Sequence, residues 1–346
     1  MLTVESRLAE KLALRTAPIV TFHGVTRPPG RHAGFAQNIG PASGFSFQRA
    51  SGMKISCGCF SRYAAIFGVL IPVLTIAIAH AKAQDPLRVM SFNIRYGAAR
   101  DGVNAWPNRR QHVATVIRTF APDLLGTQET LPFQARQLQE DLAGYQYIGW
   151  SRDASADGEQ CGIFVRTARF EIIESGQFWL SETPDEKFSK SWDSSLPRVA
   201  TWVRLKDRSA GDRRLLFMNT HFDHRGETAR RESAALLVRR GTEVAAGEPL
   251  LITGDFNCGE GSPPWKTLTA DTARLEDTFR KVHPRRSDGE GTFNGFSDRA
   301  GAERIDWILC SPGWQVTAAT IDRSEFGGRF ASDHFAVTAT LGWSTP

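Results

Sequence analysis

Cysteine is scarce in this sequence, five in 346 residues, and two of the five, Cys57 and Cys59, fall near the N-terminus. The other three, Cys161, Cys258 and Cys310, give no disulfide framework, and each adjoins an apolar run. They read as small buried hydrophobes. Charge of one sign is also missing where it would matter. The chain is basic overall, with a formal charge of +5 and a pI near 9.1. Yet residues 1–83 hold nine Lys/Arg and two Asp/Glu of totals 42 and 37, leaving 33 and 35 beyond position 83. A slightly negative domain has no electrostatic reason to bind nucleic acid tightly and nonspecifically. Beyond position 83 there is no internal repeat, no clear linker and no apolar hairpin suited to membrane insertion.

The basic excess belongs to the leader. Residues 53–83, "MKISCGCFSRYAAIFGVLIPVLTIAIAHAKA", start with Lys54 and Arg62 and run largely apolar from Ala64 to Ala79. They end in Ala81-Lys82-Ala83, a small-x-small exit. This order predicts a secretory signal peptide cleaved near Ala83, giving an exported protein, periplasmic or secreted. The alternative is an anchor through residues 64–79, near the lower length limit for a span. Residues 1–52 are Gly-, Arg- and Pro-rich without periodicity. They read as disordered, or as a start-site extension with translation beginning at Met53.

From residue 84 to 346 the pattern is one domain in which strands outnumber helices. Strand-like stretches are "LRVMSFNI" (87–94), "DLLGTQE" (123–129), "YQYIGW" (145–150), "CGIFVR" (161–166), "FEIIESGQFWL" (170–180) and "RVATWVRL" (198–205). "RRLLFMNTHF" (213–222), "PLLITGDFN" (249–257), "RIDWILC" (304–310) and "HFAVTATL" (334–341) complete the set. Helical spacing covers 108–120, 134–142 and 226–244. Connections of both kinds imply mixed sheets, two of them packed together and flanked by helices.

Several strands end in polar residues that a buried strand has little use for. Asn93 closes the first, Glu129 the second, and Asn219 with His221 the "MNTH" strand. Asp255 and Asn257 follow "LLIT", Asp306 sits in "RIDWIL", and Asp333-His334 precede the last strand. Residues i and i+2 of a strand share a face, so Asn219/His221 and Asp255/Asn257 are expected as same-face pairs. Converged, this set suits phosphate-ester hydrolysis. Glu129 offers a hard oxygen to Mg²⁺ (Mn²⁺ as an alternative), with Asn93 ligating or orienting it. Asp255 is placed to aim a water and Asn257 to donate to phosphate, while Asp306 holds the His334 ring in one tautomer.

In order, "SFNIR", "GTQE", "NTHFDH", "GDFN", "RIDWIL" and "SDH" resemble the endonuclease/exonuclease/phosphatase superfamily over residues 86–342. The resemblance implies a four-layer α/β/β/α sandwich like that of pancreatic deoxyribonuclease, with the site at one end of the two sheets. It implies Glu129 as the principal metal ligand with Asn93 beside it, and Asp333 near the metal or His221. It implies His221 as the first catalytic histidine, His334 as the second, paired with Asp306, and Asp255 and Asn257 as the water-activating and phosphate-orienting pair. Arg95 and Arg198 resemble phosphate-contacting arginines, and Asn219 is counted with the substrate-binding set. "FWLSETP", "SWD…LPR" and "THFDHRGE" are similar to an exported bacterial subgroup. Trp192, Phe293 and Phe296 either line the groove or pack their loops.

The expectation is therefore a monomeric, exported, metal-dependent hydrolase of a phosphodiester or phosphomonoester. A nonspecific extracellular endonuclease and a lipid- or inositol-phosphate phosphatase are the alternatives among enzymes. A catalytically silent binding module is the alternative outside them.

Overall fold

Residues 85–344 are described by a computed structural model. The leader and the extension before it lie outside the described residues. Twelve strands and five helices follow in chain order: β1 (Leu87–Asn93), α1 (Trp106–Phe120), β2 (Leu124–Thr130), α2 (Pro132–Asp141), β3 (Tyr145–Ile148), β4 (Gln160–Arg166), β5 (Phe170–Trp179) and β6 (Val199–Asp207). Then come β7 (Arg213–His221), α3 (Glu227–Ala245), β8 (Leu250–Asp255), α4 (Pro263–Leu268), β9 (Glu276–Asp277), α5 (Thr278–Val282), β10 (Asp306–Cys310), β11 (Trp314–Asp322) and β12 (Ala336–Trp343).

The strands form two six-stranded sheets, ordered β11-β12-β1-β2-β4-β3 and β5-β6-β7-β8-β10-β9. Both are mixed. β1 and β2 are parallel, joined across α1, and β7 and β8 are parallel, joined across α3; the other pairings are antiparallel. Alternation along each strand explains the layering. Val89, Leu124, Phe217, Leu251 and Ile308 point between the sheets, into one apolar core. Their neighbours of opposite parity point outwards. Met90, Phe92 and Leu125 meet Val113, Ile117 and Leu138 of α1 and α2. Met218, Ile252 and Leu309 meet Ala234 and Leu237 of α3. The expected α/β/β/α sandwich is the observed one.

The inter-sheet face changes character along its length. On β1 it runs Leu87, Val89, Ser91, Asn93; on β7 Leu215, Phe217, Asn219, His221; on β8 Leu251, Thr253, Asp255; on β10 Cys310, Ile308, Asp306. One end of the sandwich is oil and the other is polar. Across the polar end Gln128 Nε2 donates to Asn219 Oδ1 at 2.6 Å, and Asn219 Nδ2 to the Thr127 and Gly162 carbonyls at 2.8 Å each. Those bonds satisfy the buried Asn219 amide and tie one sheet to the other.

The sequence reading omits β11 and the short α4, β9 and α5. β11 is an edge strand with much of its surface exposed, and a bulge between Val316 and Ala318 breaks its alternation.

Candidate active site

Strand register assembles the site. His221 pairs with Asp255 across β7 and β8, and Asp306 pairs with Asp255 across β8 and β10. All three lie on the inter-sheet face, so they form one row over three strands. Asn93 reaches this row from the opposite sheet. Its Nδ2 donates to Asp255 Oδ2 at 3.0 Å and to Glu129 Oε1 at 3.1 Å. Ser332-Asp333-His334 arrive on the turn before β12, anchored by Ser332 Oγ donating to the Asn93 carbonyl at 2.7 Å.

Several of these residues adopt left-handed backbone that side chains avoid: Arg95 (φ 60°), Glu129 (φ 58°) and Asn257 (φ 50°). Such conformations cost on the order of 1 kcal/mol or more and persist where surroundings fix them. Glu129 sits at a break in the β2–β4 ladder, between Thr127 and Thr130. Its carboxylate is aimed by Asn93 and by the Tyr96 N–H, which donates to Oε2 at 2.8 Å. Arg109 of α1 braces the same corner, donating to the carbonyls of Ile94, Arg95 and Ala331.

The two histidines occupy opposite electrostatic settings. His334 Nδ1 meets Asp306 Oδ2 at 2.9 Å, and its Nε2 lies 3.7 Å from Asp255 Oδ2. Burial opposes its charge, but Asp306 and Asp255 outweigh burial and push its pKa up to about 10. His221 Nε2 lies 3.4 Å from Asp255 Oδ2 and its Nδ1 3.4 Å from Glu159 Oε1. Burial, and then the nearby Arg198 charge, push it down to about 3. One imidazole is charged and the other neutral at the same pH, the separation that acid and base roles need. Burial, helped by Asp306, raises the Asp255 carboxyl that stands between them.

A cleft of about 630 Å³ opens over this row. Glu129, His221, Asp255, Asn257, Asp333, His334, Arg95, Arg198 and Phe293 line it. Asn93 and Asp306 are fully buried beneath. Phe293 sets its ring edge-on to His334, centroids 5.2 Å apart. Arg95 is engaged by acids, forking onto Asp101 at 3.0 Å and lying 3.4 Å from Asp333. Arg198 is buried, 3.4 Å from Asp223 through Nε, with Nη2 2.9 Å from His224 Nδ1. Its Nη1 has no hydrogen-bond partner.

Three expectations are corrected. Asn219 is fully buried with its amide spent between the sheets, so it lies under the cleft and not along it. Trp192 packs half-buried against the α3-side core, away from the cleft. Asp255 and Asn257 are not a strand pair: β8 ends at Asp255, and Asn257 is in left-handed backbone with Nδ2 donating to the Phe222 carbonyl at 3.0 Å. Its N–H caps Asp255 Oδ1 at 2.9 Å. Phe296 stacks near Arg109, 5.7 Å from its guanidinium, and packs its loop.

Arg152, Glu159 and His224 also line the cleft, three residues that the sequence pattern does not single out. Arg152 Nη1 contacts Glu159 Oε1 at 2.6 Å, both buried. His224 was visible inside "NTHFDH"; Glu159 had only its place before an apolar strand as a signal.

The donor set bears on a metal ion. Ligand atoms of Asp255, Asp306 and His334 lie within 4.8 Å of one another. Within that trio, however, Asp306 is spent on the His334 ring at 2.9 Å and lies fully buried beneath the cleft. A hard cation fits the oxygen side instead. There Glu129 and Asp333 face the cleft, and burial, with Glu129 adding its repulsion, raises the Asp333 carboxyl.

Comparison with known proteins agrees with this geometry. A solved structure of a mannosyl-6-phosphatase from Bacteroides thetaiotaomicron is 35% identical, covering 74% of this chain and 100% of that one, TM-score 0.67. An endonuclease/exonuclease/phosphatase family protein from the same organism gives the same identity and TM-score over 74% and 94%. Drosophila melanogaster Nocturnin is 25% identical over 57% of this chain, a stretch spanning 33% of that relative; a mimivirus relative is spanned over 32%. The model of the Endonuclease/Exonuclease/phosphatase family, whose members hydrolyse phosphate esters, matches residues 90–334, and the chain belongs to that family.

Proposed function

We infer that the protein is an exported, divalent-metal-dependent phosphomonoesterase acting on a phosphorylated sugar. The observation that carries this reading is the buried Arg198 guanidinium with an unpartnered Nη1 at the cleft. A buried donor without a partner is costly, and a terminal phosphate supplies the missing acceptor. Arg152 beside it and the charged His334 opposite suit a dianion better than the single charge of a diester. A cleft of about 630 Å³ has room for one phosphosugar. The 35% identity to a mannosyl-6-phosphatase across that protein's whole chain supports the substrate class.

The residues divide the work by their protonation. Asp255, held by Asn93 and the Asn257 N–H, is positioned to accept a proton from the attacking water. Neutral His221, its Nε2 3.4 Å from Asp255 Oδ2, shares that role from the other side. His334, kept cationic by Asp306, offers charge and a proton to a phosphate oxygen. A divalent ion bound by Glu129 and Asp333 would neutralise charge on the phosphate and the leaving oxygen.

The test is turnover of mannose 6-phosphate, p-nitrophenyl phosphate, bis-p-nitrophenyl phosphate and plasmid DNA with Mg²⁺, Mn²⁺ or EDTA. Monoesters should be cleaved in preference to the diester and DNA, EDTA should stop turnover, and His334→Ala should abolish it. Arg198→Lys should lower kcat/KM for the monoester more than for the diester. Preference for DNA would overturn the reading. Export is checked separately: a secreted product beginning at Gln84 is expected, and retention of residues 53–83 would contradict it.

A further inference from the structure

A second cleft, of about 470 Å³, lies beside the catalytic one between segment 150–156 and the turn at Lys187–Phe188, floored by Gly176 and Gln177 of β5. The two share a wall. Arg152 lines the catalytic cleft while its chain neighbours Ser151 and Asp153 line the second. Trp179 Nε1, beneath the second cleft, donates to the Arg152 carbonyl at 2.8 Å. Two of the exposed large aromatics of the described residues converge here, Trp150 (44% exposed) and Phe188 (42%). Phe188 stands edge-on to Trp179 at 5.7 Å and is held in left-handed backbone, φ 67°. A strained backbone that leaves a phenyl ring at a cleft mouth calls for a purpose other than packing.

We propose that this cleft binds the neighbouring pyranose ring of a phosphorylated glycan whose phosphorylated end occupies the catalytic cleft. The chemistry selects a sugar. Flat rings take the apolar face of a pyranose, and hydroxyls need acceptors and donors at the edge. Asp153 and the exposed Lys187 line the cleft, and among the described residues neither Asp153 Oδ2 nor the Lys187 ammonium has a hydrogen-bond partner. A nucleic-acid strand leaving the catalytic cleft would need repeated cationic contacts to its phosphates, and Lys187 is the lone cation here. The proposal rests on the sugar-phosphate reading of the first cleft and extends it to a chain of at least two sugars.

The test compares mannose 6-phosphate with a mannose disaccharide carrying the 6-phosphate, for the full chain and for Trp150→Ala and Phe188→Ala. The disaccharide should be the better substrate by kcat/KM. Each variant should remove roughly tenfold of that preference, the upper worth of one aromatic contact, while turnover of mannose 6-phosphate and p-nitrophenyl phosphate stays unchanged. Equal loss on both sugars, or a preference that survives both variants, overturns the proposal and leaves the first cleft's reading standing. Should neither phosphosugar be hydrolysed, titration of tryptophan fluorescence with the unphosphorylated disaccharide decides. Saturable quenching that Trp150→Ala removes supports the sugar site; no quenching overturns it.

Discussion

At the scale of the residue, the chemistry depends on who faces whom. His334 differs from His221 because hydrogen-bonded Asp306, with Asp255, outweighs burial at the first, whereas burial and the nearby Arg198 outweigh the carboxylates around the second. Asp306 touches nothing in the cleft; its effect passes through the 2.9 Å contact to His334 Nδ1. Replacing Asp306 with Asn keeps the shape and removes the charge that holds the imidazolium. Its kcat should fall by about 10²-fold or more, the usual worth of a positioned acid or base, with KM little changed. A variant that turns over at the wild-type rate would strip His334 of its assigned role.

At the scale of the element, the strands act as rulers with one apolar and one polar end. Gly126 of β2 lets the sheets approach closely at the polar end, because a Cβ there would collide with Thr253 Oγ1 and Asn219 Oδ1. Gly126→Ala should therefore cost about 1–3 kcal/mol of overpacking and weaken the bonds that floor the cleft. The urea midpoint reads the first effect and kcat the second. The opposite end is tied by Arg169, which contacts Asp207 and Asp123 at 2.9 Å each. Burial works against the Asp207 charge, but Arg169 and Ser209 more than offset it and set its pKa below the ordinary carboxyl value. A depressed pKa gives stability that is present above pH ~4 and lost as pH falls through the folded value. The wild-type urea midpoint should fall more steeply than that of Asp207→Asn on acidification below pH ~4; parallel curves would remove Asp207 from the account. The same ruler explains what could be read in advance. Period-2 alternation located ten strands, and polar residues at their tips located the row His221, Asp255, Asp306. It failed at Asn219, because parity gives the face but not the depth, and one step along β7 separates a buried amide from a cleft-lining imidazole. It failed at Asn257, where a left-handed turn ends the strand rule. Glu159 stayed hidden because His221, 3.4 Å from it, is far away in sequence and on the other sheet, and only the packing of the two sheets brings them together.

At the scale of the whole domain, two sheets bring carboxylates from opposite layers to one mouth. Glu129 and Asp333 come from the β1–β2 side, Asp255 from the β7–β8 side, and burial already strains the charge on Asp255 and Asp333. Folding without a cation therefore works against itself at this corner, and a bound divalent ion should stabilise the fold as well as serve the reaction. At a Mg²⁺ concentration of 100 Kd, linkage gives about 2.7 kcal/mol, a clear rise in Tm. Glu129→Gln removes one of the crowded charges. Its metal-free Tm should be no lower than the wild type's, and its Mg²⁺-dependent rise should disappear. An undiminished rise in Glu129→Gln would move the ion to the inner trio of Asp255, Asp306 and His334, and Asp306→Asn would then be the variant that loses it. The two substitutions thus separate an oxygen-lined mouth from an internal cluster by melting temperature alone, with no substrate needed.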